Sequence, residues 1–159
     1  MTDKHLNATP LEYSELAPTF SLDSIDGQTF TRGQFRNKCG LVLIFFQPVP
    51  DVIPLLKKIG ADLAEYQELN ARILGIGRAD RTELATFAST LALPFTLLAD
   101  PTGEAWKAYC RTDLPGYAVF VLDLYGGVDA QKVTSTVKDL PEASQILEWT
   151  RAAQYKCSI

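Results

Sequence analysis

Leu41-Val42-Leu43-Ile44-Phe45-Phe46-Gln47-Pro48-Val49-Pro50-Asp51-Val52-Ile53-Pro54 decides the fold of this chain. Its first part is apolar at nearly every position, which predicts a strand covered on both faces. A proline-rich loop ends the run, and apolar residues at helical spacing follow: Leu55, Leu56, Ile59, Leu63 and Tyr66. A buried strand that feeds a helix through a loop is a parallel α/β unit, and such folds place their chemistry beyond the carboxyl ends of the strands. Yet the loop carries no Cys, Ser, Thr or His, and its first Lys is Lys57. It has the position of a site without a nucleophile or base. The helix is predicted over Val52 to Leu69, with Asp51 as its N-cap and Pro54 in the first turn, where no intrahelical donor is lost.

Working outward, Ala17 to Leu22 alternates like a half-buried strand, and Asp26-Gly27 turns the chain into a second hairpin arm at Gln28 to Thr31. A short helical turn spans Thr31 to Arg36. Ala71 to Gly77 reads as a second buried strand. Asp80, with Glu83 three residues on, opens a third helical segment whose stripe is Leu84, Phe87, Ala88 and Leu91. Pro94 to Ala99 is a strand, closed by the turn Asp100-Pro101-Thr102-Gly103. A short helix covers Glu104 to Tyr109. Tyr117 to Leu122 and Val128 to Val133 form a hairpin about Gly126-Gly127, and a last helix starts at Pro141. Parallel βαβ units followed by an antiparallel hairpin and a closing helix predict a mixed sheet with helices on both faces. The expected organisation is a tail over 1–15, one domain over 16–153 and a second tail over 154–159.

Composition narrows the function classes. The 159 residues carry a net charge of −4, and the densest basic cluster is the pair Lys57-Lys58, which excludes a concentrated nucleic-acid footprint. No apolar run approaches the roughly 20 residues of a bilayer span, and the polar N-terminus lacks a signal-like segment, so a cytoplasmic protein without membrane contact is expected. His5 is the single histidine and sits in the predicted tail, which leaves no role for histidine catalysis. Three cysteines at wide spacing, Cys39, Cys110 and Cys157, make neither a disulfide framework nor a metal pattern. No metal or cofactor is expected. Gly75-x-Gly77 is not a dinucleotide fingerprint, because Asp80 stands at the third glycine place; it reads as a close backbone approach.

The order of these pieces resembles the peroxiredoxin (AhpC/TSA) family of the thioredoxin-like superfamily. The resemblance rests on Ala-Pro-Thr-Phe-Ser-Leu-Asp with Gly-Gln at 17–28, Gly-Leu-Val-Leu-Ile-Phe-Phe at 40–46, Ile-Leu-Gly-Ile-Gly at 73–77, the run from Phe87 to Glu104, and Val-Phe-Val-Leu-Asp at 119–123. It covers about residues 16 to 153. It implies a three-layer thioredoxin-like (peroxiredoxin-type) sandwich with an N-terminal β-hairpin. It also implies thioredoxin-dependent reduction of hydroperoxides by a cysteine thiolate at a helix start, which the helix N-terminus stabilises.

Carried over residue by residue, the family's site motif Pro-x-x-x-Thr-x-x-Cys keeps only its proline. Counted from Pro48, the Thr and Cys places hold Val52 and Leu55; counted from Pro50, they hold Pro54 and Lys57. The place of the family's arginine holds Tyr117, and a Cys-x-x-Cys register would put Pro50 and Ile53 at the thiol places. No catalytic residue is therefore assigned by motif. The expectation is a degenerate peroxiredoxin-like protein that binds a partner or ligand at Pro48, Val49, Pro50, Asp51, Val52 and Ile53. A protein partner at the 48–55 loop and a homodimer are the assemblies considered.

The alternative is a thiol-dependent peroxide reductase with a relocated cysteine, Cys110 or Cys157. Arg111 beside Cys110 predicts a lowered thiol pKa. Cys39 reads as a buried small apolar residue. Asp51, Lys57 and Lys58 read as a cap and solvated charges, with binding of a polar ligand as the other reading. For Val49, Val52 and Ile53 two placements stay open: an exposed patch that meets a partner, or an inward plug of the vacated pocket, to which the Tyr117 ring would add.

Overall fold

The computed structural model describes residues 11–157, with side chains through Tyr155. His5 and most of the predicted N-terminal tail lie outside the described residues, as does the side chain of Cys157. The chain runs β1 (Ser21–Ser24), β2 (Thr29–Thr31), β3 (Gly40–Phe46), α1 (Ile53–Ala61), α2 (Leu63–Glu68), β4 (Ala71–Gly77), α3 (Arg81–Ala88), β5 (Thr96–Ala99), α4 (Glu104–Cys110), β6 (Tyr117–Leu122), β7 (Val128–Thr134) and α5 (Ala143–Cys157). The strands form one sheet in the order β2-β1-β5-β4-β3-β6-β7. Strands β3, β4 and β5 are parallel; β1 and β6 flank them antiparallel. This is the mixed sheet that the sequence predicts.

Alternation along the buried strands divides the core between the two faces. Val42, Ile44, Phe46, Ile73, Leu97, Val119 and Val121 face one layer, with Leu56 and Ile59 of α1, Tyr66 of α2, Leu84 of α3 and Ile146 of α5. Leu41, Leu43, Phe45, Leu74, Ile76, Leu98 and Phe120 face the other, with Trp106 and Tyr109 of α4 and with Leu11, Ala17 and Phe20. Helices thus cover both faces, but the second layer is one short helix, the segment before β1, and Phe30 and Phe35. Leu11 is buried, and its N–H donates to the Tyr109 carbonyl at 3.3 Å, so residues 11–15 pack on the domain. At the other end, α5 continues to Cys157, past the expected boundary at 153.

Several element limits differ from the sequence expectation. Strand β1 begins at Ser21 rather than Ala17, because its pairing with β5 (Asp23 with Ala99, Ser24 with Leu98) lies further along the chain. The predicted Val52–Leu69 helix is two helices. The chain enters through a 3₁₀ turn at Pro50–Val52, and α1 closes at Asp62, whose N–H bonds back to Ile59. Gly60 sits at the break against Pro94, where an added Cβ would stand 2.8 Å from the proline ring. Asp51 is not the cap. Val52 holds that place with helical dihedrals (φ −87, ψ −13), so the chain is already turning and offers no extended cap residue. The last helix begins at Ala143, after a 3₁₀ turn at Val137–Asp139, with Pro141 just before it.

Other local readings hold. Asp80 caps α3 by accepting from the Glu83 N–H at 2.8 Å. The two glycines of β4 are close approaches: a Cβ on Gly77 would lie 2.5 Å from a Leu84 methyl, and one on Gly75 would lie 2.6 Å from a Leu97 methyl.

Candidate functional site

Phe46, Gly77 and Ala99 stand level across β3, β4 and β5, so the three parallel strands end together. The loops that leave them form one rim. It is stitched by the Arg78 N–H on the Phe46 carbonyl (3.0 Å) and the Asp100 N–H on the Gly77 carbonyl (2.9 Å). The loop after β3 therefore lies where α/β folds bind ligands.

The loop's side chains divide by direction. Val52 is fully buried and belongs to the core layer of Ile44, Phe46 and Tyr117. Pro48, Val49 and Ile53 are half-buried; Pro50, Asp51 and Pro54 are exposed. Of the two placements that the sequence leaves open, Val52 takes the inward one, because a Val among apolar neighbours gains by leaving water. None of these loop residues is an exposed large hydrophobic; among the described residues those are Tyr13, Leu16, Leu114, Tyr125 and Tyr155. Leu55 sits in the first turn of α1, half-buried against the same layer. Tyr117 starts β6 and is 9% exposed, and burial followed by the nearby Asp51 carboxylate pushes its phenol up. Val52, Leu55 and Tyr117 thus belong to one packed layer beside the loop.

A groove of about 420 Å³ adjoins them, lined by Asp51, Pro54, Leu55, Lys58, Lys138 and Glu142. It runs between the start of α1 and the start of α5. Lys58 and Lys138 give it cations, and Asp51 and Glu142 give it carboxylates. A polar ligand near Asp51 and Lys58 thus has a cleft to enter.

Sequence reasoning missed the other side of the rim. Asp100 is 2% exposed, and its carboxylate accepts from the Ala105 and Trp106 N–H groups at 3.3 and 3.0 Å. It anchors α4 from the end of β5, a charge-assisted bond pattern at a helix start. Its only local signal was the Asp-Pro-Thr-Gly turn. Gly103 within that turn takes φ +77, and its Cα carries the Arg78 guanidinium: an added Cβ would lie 2.4 Å from the Arg78 Cζ. Arg78 has no ion-pair partner among the described residues. With Gln47, Asp100, Trp106 and Gly116 it lines a cavity of about 10 Å³, room for one water. Gln47 Nε2 donates to the Gly116 carbonyl at 3.4 Å, which ties the loop to the start of β6.

None of the described thiols reaches this rim. Cys110 is 1% exposed, in the layer on the opposite face of the sheet, and burial alone pushes its thiol well up. This corrects the expected activation by Arg111. At the end of α4 Arg111 adopts the left-handed conformation (φ 58) and pairs with Glu15, away from the thiol. Cys39 is half-exposed rather than buried, at the opposite end of β3. Among the described residues, no group of three or more His, Cys, Asp or Glu could hold a metal ion, and no helix is long and apolar enough to cross a membrane.

The AhpC/TSA family model matches residues 14–131. The chain belongs to the AhpC/TSA family. It is 30% identical over 119 residues to peroxiredoxin Q, chloroplastic, of Populus jackii, covering 70% of this chain and 55% of that protein. It is 27% identical over 103 residues to peroxiredoxin Bcp of Escherichia coli K12, covering 63% of this chain and 65% of that one. The chain therefore spans between half and two thirds of these relatives' own lengths. In structure it is similar to a 2-Cys peroxiredoxin of Plasmodium vivax (TM-score 0.82, 21% identity, 94% of this chain and 85% of that one). It also matches peroxidoxin BcpB of Mycobacterium tuberculosis (TM-score 0.77, 18% identity, 89% and 97%). At that identity the structural matches establish the thioredoxin-like peroxiredoxin fold, as the resemblance in the sequence implied.

Proposed function

We propose that this member of the AhpC/TSA family does not run thiol peroxidase chemistry at the family's active-site loop, and that it acts by binding at the rim around residues 48–55. The observation that carries this reading is Leu55 in the first turn of α1, packed against the layer that holds the buried Val52; the count from Pro48 sets these two at the family's Cys and Thr places, and Tyr117 stands where its arginine is expected. A hydrocarbon at the thiol position has no lone pair to attack an O–O bond. Val52, packed inward with the core layer, carries no hydroxyl to orient a hydroperoxide. The groove beside Leu55, with cations and carboxylates on its walls, supports binding of a polar ligand or a partner segment there.

The alternative through a relocated thiol loses support at Cys110. A thiol sealed from solvent with its pKa raised presents almost no thiolate at neutral pH. Cys157 would then have to carry it.

One experiment tests the reading. The reduced protein is mixed with hydrogen peroxide and an alkyl hydroperoxide in the presence of a dithiol reductant, and peroxide loss is followed with mass spectrometry of each cysteine. The expected result is no turnover and oxidation no faster than that of a small-molecule thiol. Rapid sulfenic acid formation at one cysteine with sustained turnover would overturn it. For the binding half, Pro50→Asp and Lys58→Glu are the variants to compare with wild type in pull-downs, since both residues are exposed. Unchanged partners for both variants would remove the rim as the binding surface.

A further inference from the structure

The end of the sheet opposite the rim holds four cations close to one accessible thiol, in a chain of net charge −4. Cys39 precedes β3 and is half-exposed. Lys38 and Arg72 lie close enough for their charges to act on its thiol, and Arg72 is held in place over the Phe35 ring at 5.4 Å. Arg32 and Arg36 line a small cavity with Cys39, Phe35, Asp123 and Gly126.

Arg32 is the unusual member. It is 8% exposed, and its Nε and Nη1 are buried without a hydrogen-bond acceptor. Two guanidinium nitrogens taken out of water and given no acceptor are unfavourable, and the group cannot escape by losing its proton. Gly126 allows its approach: an added Cβ there would lie 2.9 Å from Arg32 Nη1. Asp123 does not neutralise Arg32. Its Oδ1 is taken by the Tyr125 and Gly127 N–H groups at 2.9 and 3.0 Å, and it forms no ion pair with Arg32 among the described residues. Arg36 is partly committed as well, its Nε donating to the Tyr125 carbonyl at 3.0 Å. The cluster thus has positive charge in excess beside a half-exposed cysteine.

We propose that Cys39 is a site of thiol–disulfide exchange with small acidic disulfides, whose carboxylates are drawn to it by the positive charge of Arg32, Lys38 and Arg72. In the exchange the Cys39 thiol first gives its proton to solvent. The thiolate attacks one sulfur of R–S–S–R, the Cys39–S–S–R bond forms as the original disulfide breaks, and R–S⁻ leaves and takes up a proton from water. A second thiol reverses the step. Burial holds the Cys39 thiol above its ordinary pKa, and Arg72 and then Lys38 oppose that rise, so exchange is slow and its selectivity comes from the acid groups of the incoming disulfide. The site is independent of the loop reading, since β3 runs its full length from Cys39 to the rim.

The test compares three disulfides on the reduced protein at low salt. They are oxidised glutathione (acidic), cystamine (cationic) and bis(2-hydroxyethyl) disulfide (neutral), each rate normalised to that with a free cysteine peptide. Adducts are assigned by intact mass and peptide mapping. The expected result is an adduct at Cys39 that forms at least about tenfold faster with oxidised glutathione than with cystamine, as charge steering of that size allows. The preference should shrink as salt is raised, and it should fall in Lys38→Glu and Arg72→Glu. Arg32→Met should lose it too. If that variant fails to fold, the two exposed-residue variants still decide. Equal normalised rates for the three disulfides, a preference unchanged in Arg72→Glu, no adduct at all, or faster modification at another cysteine would each overturn the proposal.

Discussion

Val52→Asp discriminates between a loop that plugs the old site and one that presents a patch. Val52 has no exposed surface, so the substitution removes about 1.5–3 kcal/mol of side-chain burial. The new carboxyl must also stay protonated or be stranded as a buried charge. An unfolded Asp titrates near 3.9, so holding it neutral at pH 7 costs at most about 4 kcal/mol, at roughly 1.36 kcal/mol per pKa unit. The total is at most about 5.5–7 kcal/mol at pH 7. Because the folded-state pKa is raised above the unfolded one, the loss grows as pH rises through the unfolded value and shrinks as pH falls toward it. At pH 4.5 the ionisation part drops to about 1 kcal/mol.

Urea unfolding followed by Trp106 and Trp149 fluorescence reads both values, and the melting temperature should fall by up to roughly 11–28 °C at pH 7. Pro50→Asp, two residues away and exposed, should change stability by no more than about 1 kcal/mol. A Val52→Asp loss below about 1 kcal/mol at pH 7, or one equal at the two pH values, would refute the inward placement. It would restore the loop as an apolar partner surface.

Asp100→Ala strips two buried N–H groups of α4 of their acceptor and should cost about 2–4 kcal/mol in urea unfolding; a loss under 1 kcal/mol would deny Asp100 its anchoring role. Gly77→Ala drives a Cβ to within 2.5 Å of Leu84 and should cost about 1–3 kcal/mol by overpacking, read by the same assay. Alkylation with iodoacetamide should label Cys39 in the native protein and leave Cys110 untouched until unfolding, as peptide mapping would show. The Cys39 rate should keep rising with pH beyond the ordinary thiol range, since its thiolate forms later than that of a free cysteine; a plateau near pH 8 would contradict the raised pKa.

What could be read from the chain alone was whatever depends on near neighbours in sequence. The unbroken apolar run Gly40–Phe46 declared a doubly covered strand, Asp26-Gly27 declared the hairpin, and Asp80 with Glu83 declared the start of α3. The family pattern followed from the order of such pieces, and so did the absence of a thiol from the loop. Direction did not. Whether Val52 points in or out, whether Arg111 reaches Cys110 or Glu15, and whether Asp51 or Asp100 receives the free N–H groups of a helix are settled by residues far away in sequence. The Pro50–Val52 turn displaced the expected cap, and the packing of Gly60 on Pro94 divided one helix into two. Arg32 is the sharpest case: as a sequence letter it is an ordinary surface cation, and only the approach of Gly126 and the packing at that end of the sheet leave it buried without an acceptor. Periodicity is local and therefore legible; the partner of a side chain is chosen by the packing of the sheet and helices, which no single stretch contains.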